Sequence, residues 1–470
     1  MNPLRCVALL SVLLISPCDT FVLAQSPSGH PDLVIVHVTV VDTKSGSLLP
    51  DSTVVVRDQH IALVGPSASV TPDTHSTIVE GRGKYLIPGL WDMHVHTVFG
   101  DWVPADEHTL QMFVVNGITG VRDMGGELNA LKDWRSRIAA GTLLGPRMII
   151  AGPMLDGPVP HFPASAPIAN AADGRRVVDD LKSQGVDFIK IQSYIPRDGY
   201  FAAATEAKKI GISFVGHVPD VIRASEASNA GQKSIEHFTG IFEGCSGIED
   251  KLIAGPKTLG MNVKDYDPER AKALIALLAK NETWQVPTLV WERGQWLVDY
   301  LDLSKDPLTK YAPKAWQRSW ARFTADIIKS VDTDPLPVRQ KFVQMELDMT
   351  LAMYRAGVPF MAGTDTAAGV HVFPGWSLHQ ELELFVKAGL TPLQALQTAT
   401  LNPARFLGRD DMGSVDRGKI ADLVLLQANP LDKIDNTRRI DAVVLNGRYL
   451  SHAELARIRK GIEDAAAASK

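Results

Sequence analysis

Cysteine is nearly absent from this chain: Cys6, Cys18 and Cys245 are the only three among 470 residues. The first two stand in an N-terminal segment built like a secretory leader. One thiol is then left for the mature fold, which excludes an internal disulfide. Cys245 is expected to pack as a small apolar residue. In the leader, residues 1–24, Arg5 precedes a short apolar run from Val7 to Ile15, and the small residue Ala24 marks the cut. Pro17 stands where a lipoprotein cut before Cys18 wants a small residue, which favours cleavage after Ala24. Long apolar runs are also missing. A membrane helix needs about 20 apolar residues, so no stable span is expected once the leader is gone. A secreted or periplasmic protein is expected. Mass spectrometry of the exported chain should find it starting near Gln25, and an intact N-terminus would contradict the leader.

Neither sign of charge dominates. Forty-eight Lys and Arg face 53 Asp and Glu, a net of −5 that the loss of Arg5 and Asp19 with the leader leaves unchanged. No basic block appears, so nucleic acid is excluded as a partner. No short-period repeat appears either, which excludes a solenoid. The length exceeds one core of ordinary size, so a large domain with a smaller companion is expected.

β-branched runs are present at both ends of the chain. Residues 33–39 read as one strand, and 53–64 as two more around a turn at Asp58-Gln59. Residues 421–426 and 442–445 have the same texture, with turns at Asn429-Pro430 and Asn446-Gly447. This pattern predicts a small β-sandwich domain assembled from residues 25–85 and 406–455, followed by a tail over 456–470. Between them, residues 86–405 alternate short apolar strands with helical stretches. Eight strands are expected, over 86–96, 117–124, 147–155, 187–192, 212–218, 234–238, 284–290 and 359–366. The fold class is therefore α/β, a (β/α)₈ TIM-like barrel. No Gly-rich phosphate fingerprint follows the first strand, which argues against a doubly wound nucleotide-binding sheet. Residues 291–337 carry Trp291, Trp296, Tyr300, Tyr311, Trp316, Trp320 and Phe323. These read first as helix-packing aromatics, with a lid over the site as the alternative.

Polar residues recur where the barrel strands end. His94 and His96 are two apart, so both side chains leave the first strand on one face. Lys190 ends the fourth strand, His217 the fifth, His237 the sixth and Asp365 the eighth. Each alone has a bland explanation. Six together, at the end where such barrels place their chemistry, point to a metal site, because buried polar groups without partners are costly.

The chain resembles the amidohydrolase superfamily, in particular its imidazolonepropionase-like and prolidase-like members. The resemblance rests on the run from Leu86 to His96, Gly117-Ile118-Thr119-Gly120-Val121-Arg122-Asp123, the Lys190, His217 and His237 strand ends, and Gly363-Thr364-Asp365. It continues through Gly389 to Ala404 and Gly413 to Leu423. It implies that His94, His96 and Asp365 hold one metal ion, that His217 and His237 hold a second, and that a carboxylated Lys190 bridges them. A free ammonium has no acceptor for a cation, whereas a carbamate has two oxygens. Two Zn²⁺ ions per chain suit these imidazole and carboxylate ligands, with other divalent metals as alternatives. The implied chemistry is hydrolysis of a C–N amide bond by water activated between the metals, with Asp365 as proton carrier.

The expected partner is a small-molecule amide or peptide: a dipeptide, an N-acyl amino acid or a cyclic amide. Ester or lactone hydrolysis is the alternative. Retention of all six ligands argues against a non-catalytic scaffold. Homo-oligomerisation is left open. Candidate substrate contacts are Arg122 for a carboxylate, Tyr194 for an oxyanion, His161 in a Gly-Pro-rich loop, and His379 near Glu381. Arg122 in a strand-end ion pair is the competing expectation. The turn after Lys190 reads Gln192-Ser193-Tyr194-Ile195-Pro196. It lacks the Gly-rich, Thr-containing turn of the prolidase-like members, a departure that bears on a dipeptide substrate.

Overall fold

The structure is a computed structural model that describes residues 21–22, 32–100, 103–104, 106–301, 305–331 and 334–469. The leader read over 1–24 lies outside the described residues apart from the pair Phe21–Val22. The middle of the chain closes into a ring of parallel strands. These are Leu90–Val95, Ile118–Asp123, Arg147–Ile150 with Met154–Asp156, Phe188–Ile191, Ser213–Gly216, Ser234–Glu236 and Trp284–Val286. The third is broken at Ala151-Gly152-Pro153. Its first half pairs with Ile118–Asp123 and its second half with Phe188–Ile191.

The eighth position of the ring differs from the expected strand. Residues 359–366 join their neighbours through isolated parallel bridges, Gln285 with Phe360 and Val95 with Thr366. The Met93 amide donates to the Ala362 carbonyl at 2.9 Å and the Met361 amide to the Gln285 carbonyl at 3.0 Å, which closes the ring. The backbones approach closely along this segment. A Cβ on Gly363 would lie 2.8 Å from the His94 Cβ and 2.6 Å from Val286 Cγ1. The seventh strand also ends early, at Val286, because Pro287 has no N–H and Thr288 turns left-handed at φ 49 into the helix Leu289–Trp296.

The two ends of the chain share one sheet. Strands Leu33–Val41, Leu48–Arg57, His60–Pro66, Thr77–Glu80 and Tyr85–Pro88 join Leu423–Leu426, Ile440–Leu445 and Arg448–Leu450. The halves meet where Tyr85–Pro88 runs antiparallel to Leu423–Leu426. The sandwich takes the form of one continuous sheet curled over its own core. At the far edge the Ile61 amide reaches the Lys419 carbonyl at 2.8 Å, which encloses Ile35, Val54, Leu86, Leu423 and Val444.

The segment expected as a tail is instead most of a helix, His452–Ala468. Leu455, Ile462 and Ala466 fall on one face and are buried, and Arg459 donates to the Val115 carbonyl at 2.6 Å. Among the described residues no helix is long and apolar enough to cross a membrane.

Candidate active site

The six strand-end residues converge at the C-terminal mouth of the ring. His94 is 0 %, Lys190 1 %, His96 5 % and Asp365 6 % exposed. His94 Nε2 lies 3.4 Å and His96 Nε2 3.2 Å from Asp365 Oδ1, and His237 Nε2 lies 3.9 Å from Asp365 Oδ2. Ligand atoms of His94, His96 and Asp365 fall within 4.8 Å of one another. His217 meets His237 edge-on at 5.0 Å between ring centroids.

Every imidazole is held by its other nitrogen. His94 Nδ1 lies 2.9 Å from Glu236 Oε2, His96 Nδ1 2.7 Å from the Gly125 carbonyl, His217 Nδ1 2.8 Å from Ser193 Oγ, and His237 Nδ1 2.6 Å from Thr288 Oγ1. Fixing Nδ1 sets the orientation of the ring and leaves Nε2 facing inward, as metal-ligating histidines require. Burial holds the His94 and His217 imidazoles well below the usual range and lowers His237 to about 3, so these rings are neutral and have a free lone pair. For His96, burial pulls downward but the neighbouring Asp365 carboxylate outweighs it.

Three buried atoms in this cluster have no hydrogen-bond partner: His94 Nε2, Asp365 Oδ1 and Lys190 Nζ. Orphans of this kind are costly in a dry interior. Divalent cations would satisfy the first two directly, and a carboxylated lysine would satisfy the third. Asp123, a carboxylate at the end of the second strand, is already engaged by the Thr97 amide at 2.8 Å and the Thr97 hydroxyl at 2.6 Å. Burial lowers the Lys190 ammonium to about 8, against the pull of Glu236 and Asp365, so the neutral amine, the form that a carboxylation would need, is accessible near neutral pH. Room for its stem comes from Gly216, where a Cβ would lie 3.0 Å from Lys190 Cδ and 2.3 Å from the Ile191 carbonyl oxygen.

Backbone turns aim the last of these side chains. His237 and Asp365 leave their strands with φ of 58 and 57. Left-handed conformations cost about 1–2 kcal/mol in a residue with a Cβ. At His237 the turn lets two successive residues serve the site, since Glu236 supports His94 from below while His237 faces the mouth.

Glu236 also anchors Arg122, whose Nη2 donates to both of its carboxylate oxygens at 3.0 Å, with Arg122 Nε on the Met93 carbonyl at 2.6 Å. Arg122 and Glu236 are both 0 % exposed. Arg122 therefore does not reach substrate; the strand-end ion pair is what the structure shows, one layer beneath the ligands. Removing one partner of such a pair leaves a buried charge and costs about 3–5 kcal/mol. Glu236→Ala should lower the urea midpoint of the metal-free protein accordingly and weaken metal binding about 10- to 100-fold through His94. Unchanged stability and unchanged metal affinity together would contradict both roles.

Two cavities open above the cluster and share Ser193, His217, His237, Trp291 and Gln295. The larger, of about 680 Å³, is lined by His96, His161, Tyr194, Asp365 and, from the helix Lys314–Val331, Arg322 and Phe323. Asp156 staples two of its loops, accepting from the Tyr194 and His161 amides at 3.1 Å each. His161 and Tyr194 thus reach the cavity, with rings 5.7 Å apart. His379 does not: it is buried between the Asn116 carbonyl at 3.0 Å and Thr437 Oγ1 at 2.9 Å, in the packing of its helix.

The aromatics of 291–337 divide. Trp316 and Trp320 are buried, Trp320 stacked on His371 at 4.7 Å, and Tyr311 stacks on Trp376 at 4.7 Å, so these pack helices. Trp291 sits 5.2 Å from the His237 ring, and Phe323 lines the larger cavity, so the segment also roofs the site.

Sequence reasoning missed Glu236, Thr288, Ser193, Asp156 and Asp92, which fix ligands or their strands. Asp92 joins the first strand to the 359–366 segment through the Thr364 hydroxyl at 2.7 Å and amide at 3.1 Å, and burial raises its carboxyl to about 7. Ser234-Ile235-Glu236 did carry a signal, an acidic residue two positions after a serine on an inward strand face.

Comparison with known proteins agrees with this architecture. Ochratoxinase of Aspergillus niger is 24 % identical over 467 residues, covering 88 % of this chain and 85 % of that one. Dihydroorotase of Pelotomaculum thermopropionicum is 25 % identical, covering 86 % and 91 %. Among solved structures, bottromycin amidohydrolase superposes with a TM-score of 0.73 at 24 % identity, over 93 % of this chain and 91 % of that one. A putative prolidase from Bifidobacterium longum gives 0.65 at 23 % identity, over 92 % and 99 %. The amidohydrolase family profile matches residues 85–450, the barrel together with the sheet strands that flank it, and the chain belongs to the amidohydrolase family.

Proposed function

We propose that the protein is a binuclear zinc hydrolase that cleaves a C–N amide bond in a small molecule. The observation that carries this reading is the arrangement of four imidazoles, each tied by Nδ1, around unpartnered Asp365 Oδ1 and Lys190 Nζ. His94, His96 and Asp365 would hold one ion, His217 and His237 the other, and a carboxylated Lys190 would join them. Bound zinc would supply Lewis acidity toward the amide carbonyl and a lowered pKa for water.

The chain's own groups do the rest. Asp365 stands between the histidines and the larger cavity, where its carboxylate accepts a proton from attacking water and returns it to the leaving nitrogen. That second transfer is essential because an amide anion leaves poorly. Glu236, Ser193, Thr288 and the Gly125 carbonyl keep the imidazoles from rotating. Tyr194, half-exposed with its ring against His161, is placed to donate to the developing oxyanion. The similar proteins named ochratoxinase and Xaa-Pro dipeptidase support a C–N amide bond as the target.

Zinc-loaded enzyme assayed against N-acyl amino acids, dipeptides, cyclic amides and matched esters and lactones tests the reading. Amide turnover that is lost on chelation and restored by zinc is expected. Turnover confined to esters and lactones would overturn it.

A further inference from the structure

The smaller cavity, of about 410 Å³, opens beside His217 and His237 and has walls of Phe242, Phe342 and Trp296. Its lining also contains two glutamates, Glu292 and Glu346, which are 4 % and 2 % exposed. Several other buried charges among the described residues are matched. Arg122 has Glu236, Arg339 has Asp299 at 2.6 Å, and Glu381 accepts from the Leu289 and Val290 amides at 2.9 and 2.7 Å. Among the described residues no cation pairs with Glu292 or Glu346. The groups that act on them are the Trp296 indole and further carboxylates: Asp365 and Glu381 for Glu292, Glu292 and Glu381 for Glu346. Burial, then that mutual repulsion, raises both carboxyls well above their ordinary range.

A third acceptor faces the same space. Asn262 is 6 % exposed, lines the cavity, and its Oδ1 has no hydrogen-bond partner. Lys257 at the rim is occupied by Asp220 at 3.0 Å and Glu243 at 3.8 Å. Two paired carboxyls and an idle amide oxygen between aromatic faces lack one thing, a positive charge with several N–H donors. Guanidinium and ammonium groups on an alkyl stem supply it, since the stem lies along the rings and the head meets the oxygens. Because the two cavities share His217, His237, Trp291 and Gln295, a molecule whose amide lies at the metal centre can extend one arm into this space.

We propose that the cavity of Glu292, Glu346 and Asn262 is a specificity subsite for a basic side chain, so that the preferred substrates are amides of arginine- or lysine-like residues. The placement of the amide rests on the hydrolase reading above; the affinity of the cavity for a cation does not. Calorimetric titration of the zinc-loaded enzyme with L-arginine, L-citrulline, L-lysine and L-norleucine separates the two. The α-amino and α-carboxyl groups are common to all four, so contacts with the metal centre cancel in the comparison. Arginine should bind at least about ten-fold more tightly than its neutral isostere citrulline, and lysine likewise against norleucine, a difference within reach of one charge-assisted contact. In Glu292→Gln and Glu346→Gln that preference should shrink about ten-fold while norleucine binding stays as in the wild type. Equal affinities within each pair in the wild-type enzyme would overturn the proposal, even if amide hydrolysis were observed. A clear preference for arginine without any amide turnover would leave the subsite standing and refute the hydrolase reading instead.

Discussion

Lys190→Ala should lose most of the metal at the His217–His237 position and cut kcat/KM by at least about 100-fold, because under the proposal the loss removes a bridging ligand rather than a supporting contact. Two roles compete for this lysine. As a structural cation it would pair with a carboxylate, and Lys190→Arg would then retain much of the function. Its Nζ has no hydrogen-bond partner, and Asp123 is committed to Thr97, so the geometry offers no such pair. As a carbamate it supplies oxygens, and a small carboxylic acid can replace those oxygens in the vacated space. Acetate or propionate should therefore restore part of the lost rate in Lys190→Ala, whereas methylamine or ethylamine should not. Rescue by amines, or full activity in Lys190→Arg, would show that the ammonium matters and would reduce the site to one ion.

Asp365→Asn should lower kcat by about 10²–10⁴-fold while leaving the fold intact, the range expected when a general acid–base group is removed. The amide keeps the shape of the carboxylate and can still ligate weakly through oxygen, so part of the metal should remain. The diagnostic readout is the leaving group. A p-nitrophenyl ester, whose phenolate departs without a proton, should be affected less than an alkyl amide, since half of the role proposed for Asp365 is to protonate nitrogen. Equal losses on both substrates would restrict Asp365 to holding metal. Asp365 lies 3.2 Å from His96 Nε2 and 3.4 Å from His94 Nε2, so metal content must be measured in parallel.

How far the sequence foretold this site depends on how local each signal was. Strand alternation placed His94 and His96 on one face, and strand ends picked out Lys190, His217 and His237. The same alternation rule hid Glu236, because neighbours on a strand should face opposite ways. At His237 the left-handed turn, φ 58, sets that rule aside. For Arg122 the sequence left a substrate contact and a strand-end ion pair open, since its position beneath His94 depends on how the ring closes. The segment 359–366 looked like a strand because its composition is apolar, but it joins its neighbours through isolated bridges only. His379 and the helix His452–Ala468 depended on distant packing partners, Thr437 with Asn116 and the helix Glu107–Val115, which no local pattern specifies. Glu292 and Glu346 lie 54 positions apart on helices brought together over one cavity, so their pairing was invisible in the chain.

The central claim is a pair of metal ions joined by a carboxylated lysine, and metal stoichiometry tests it most directly. Protein stripped of metal, then reconstituted with zinc in ¹³C-bicarbonate, should hold about two equivalents by elemental analysis. It should also show a carbamate carbon resonance that is absent from Lys190→Ala and disappears on chelation. Less than about half an equivalent of zinc, with no carbamate signal, would contradict the account.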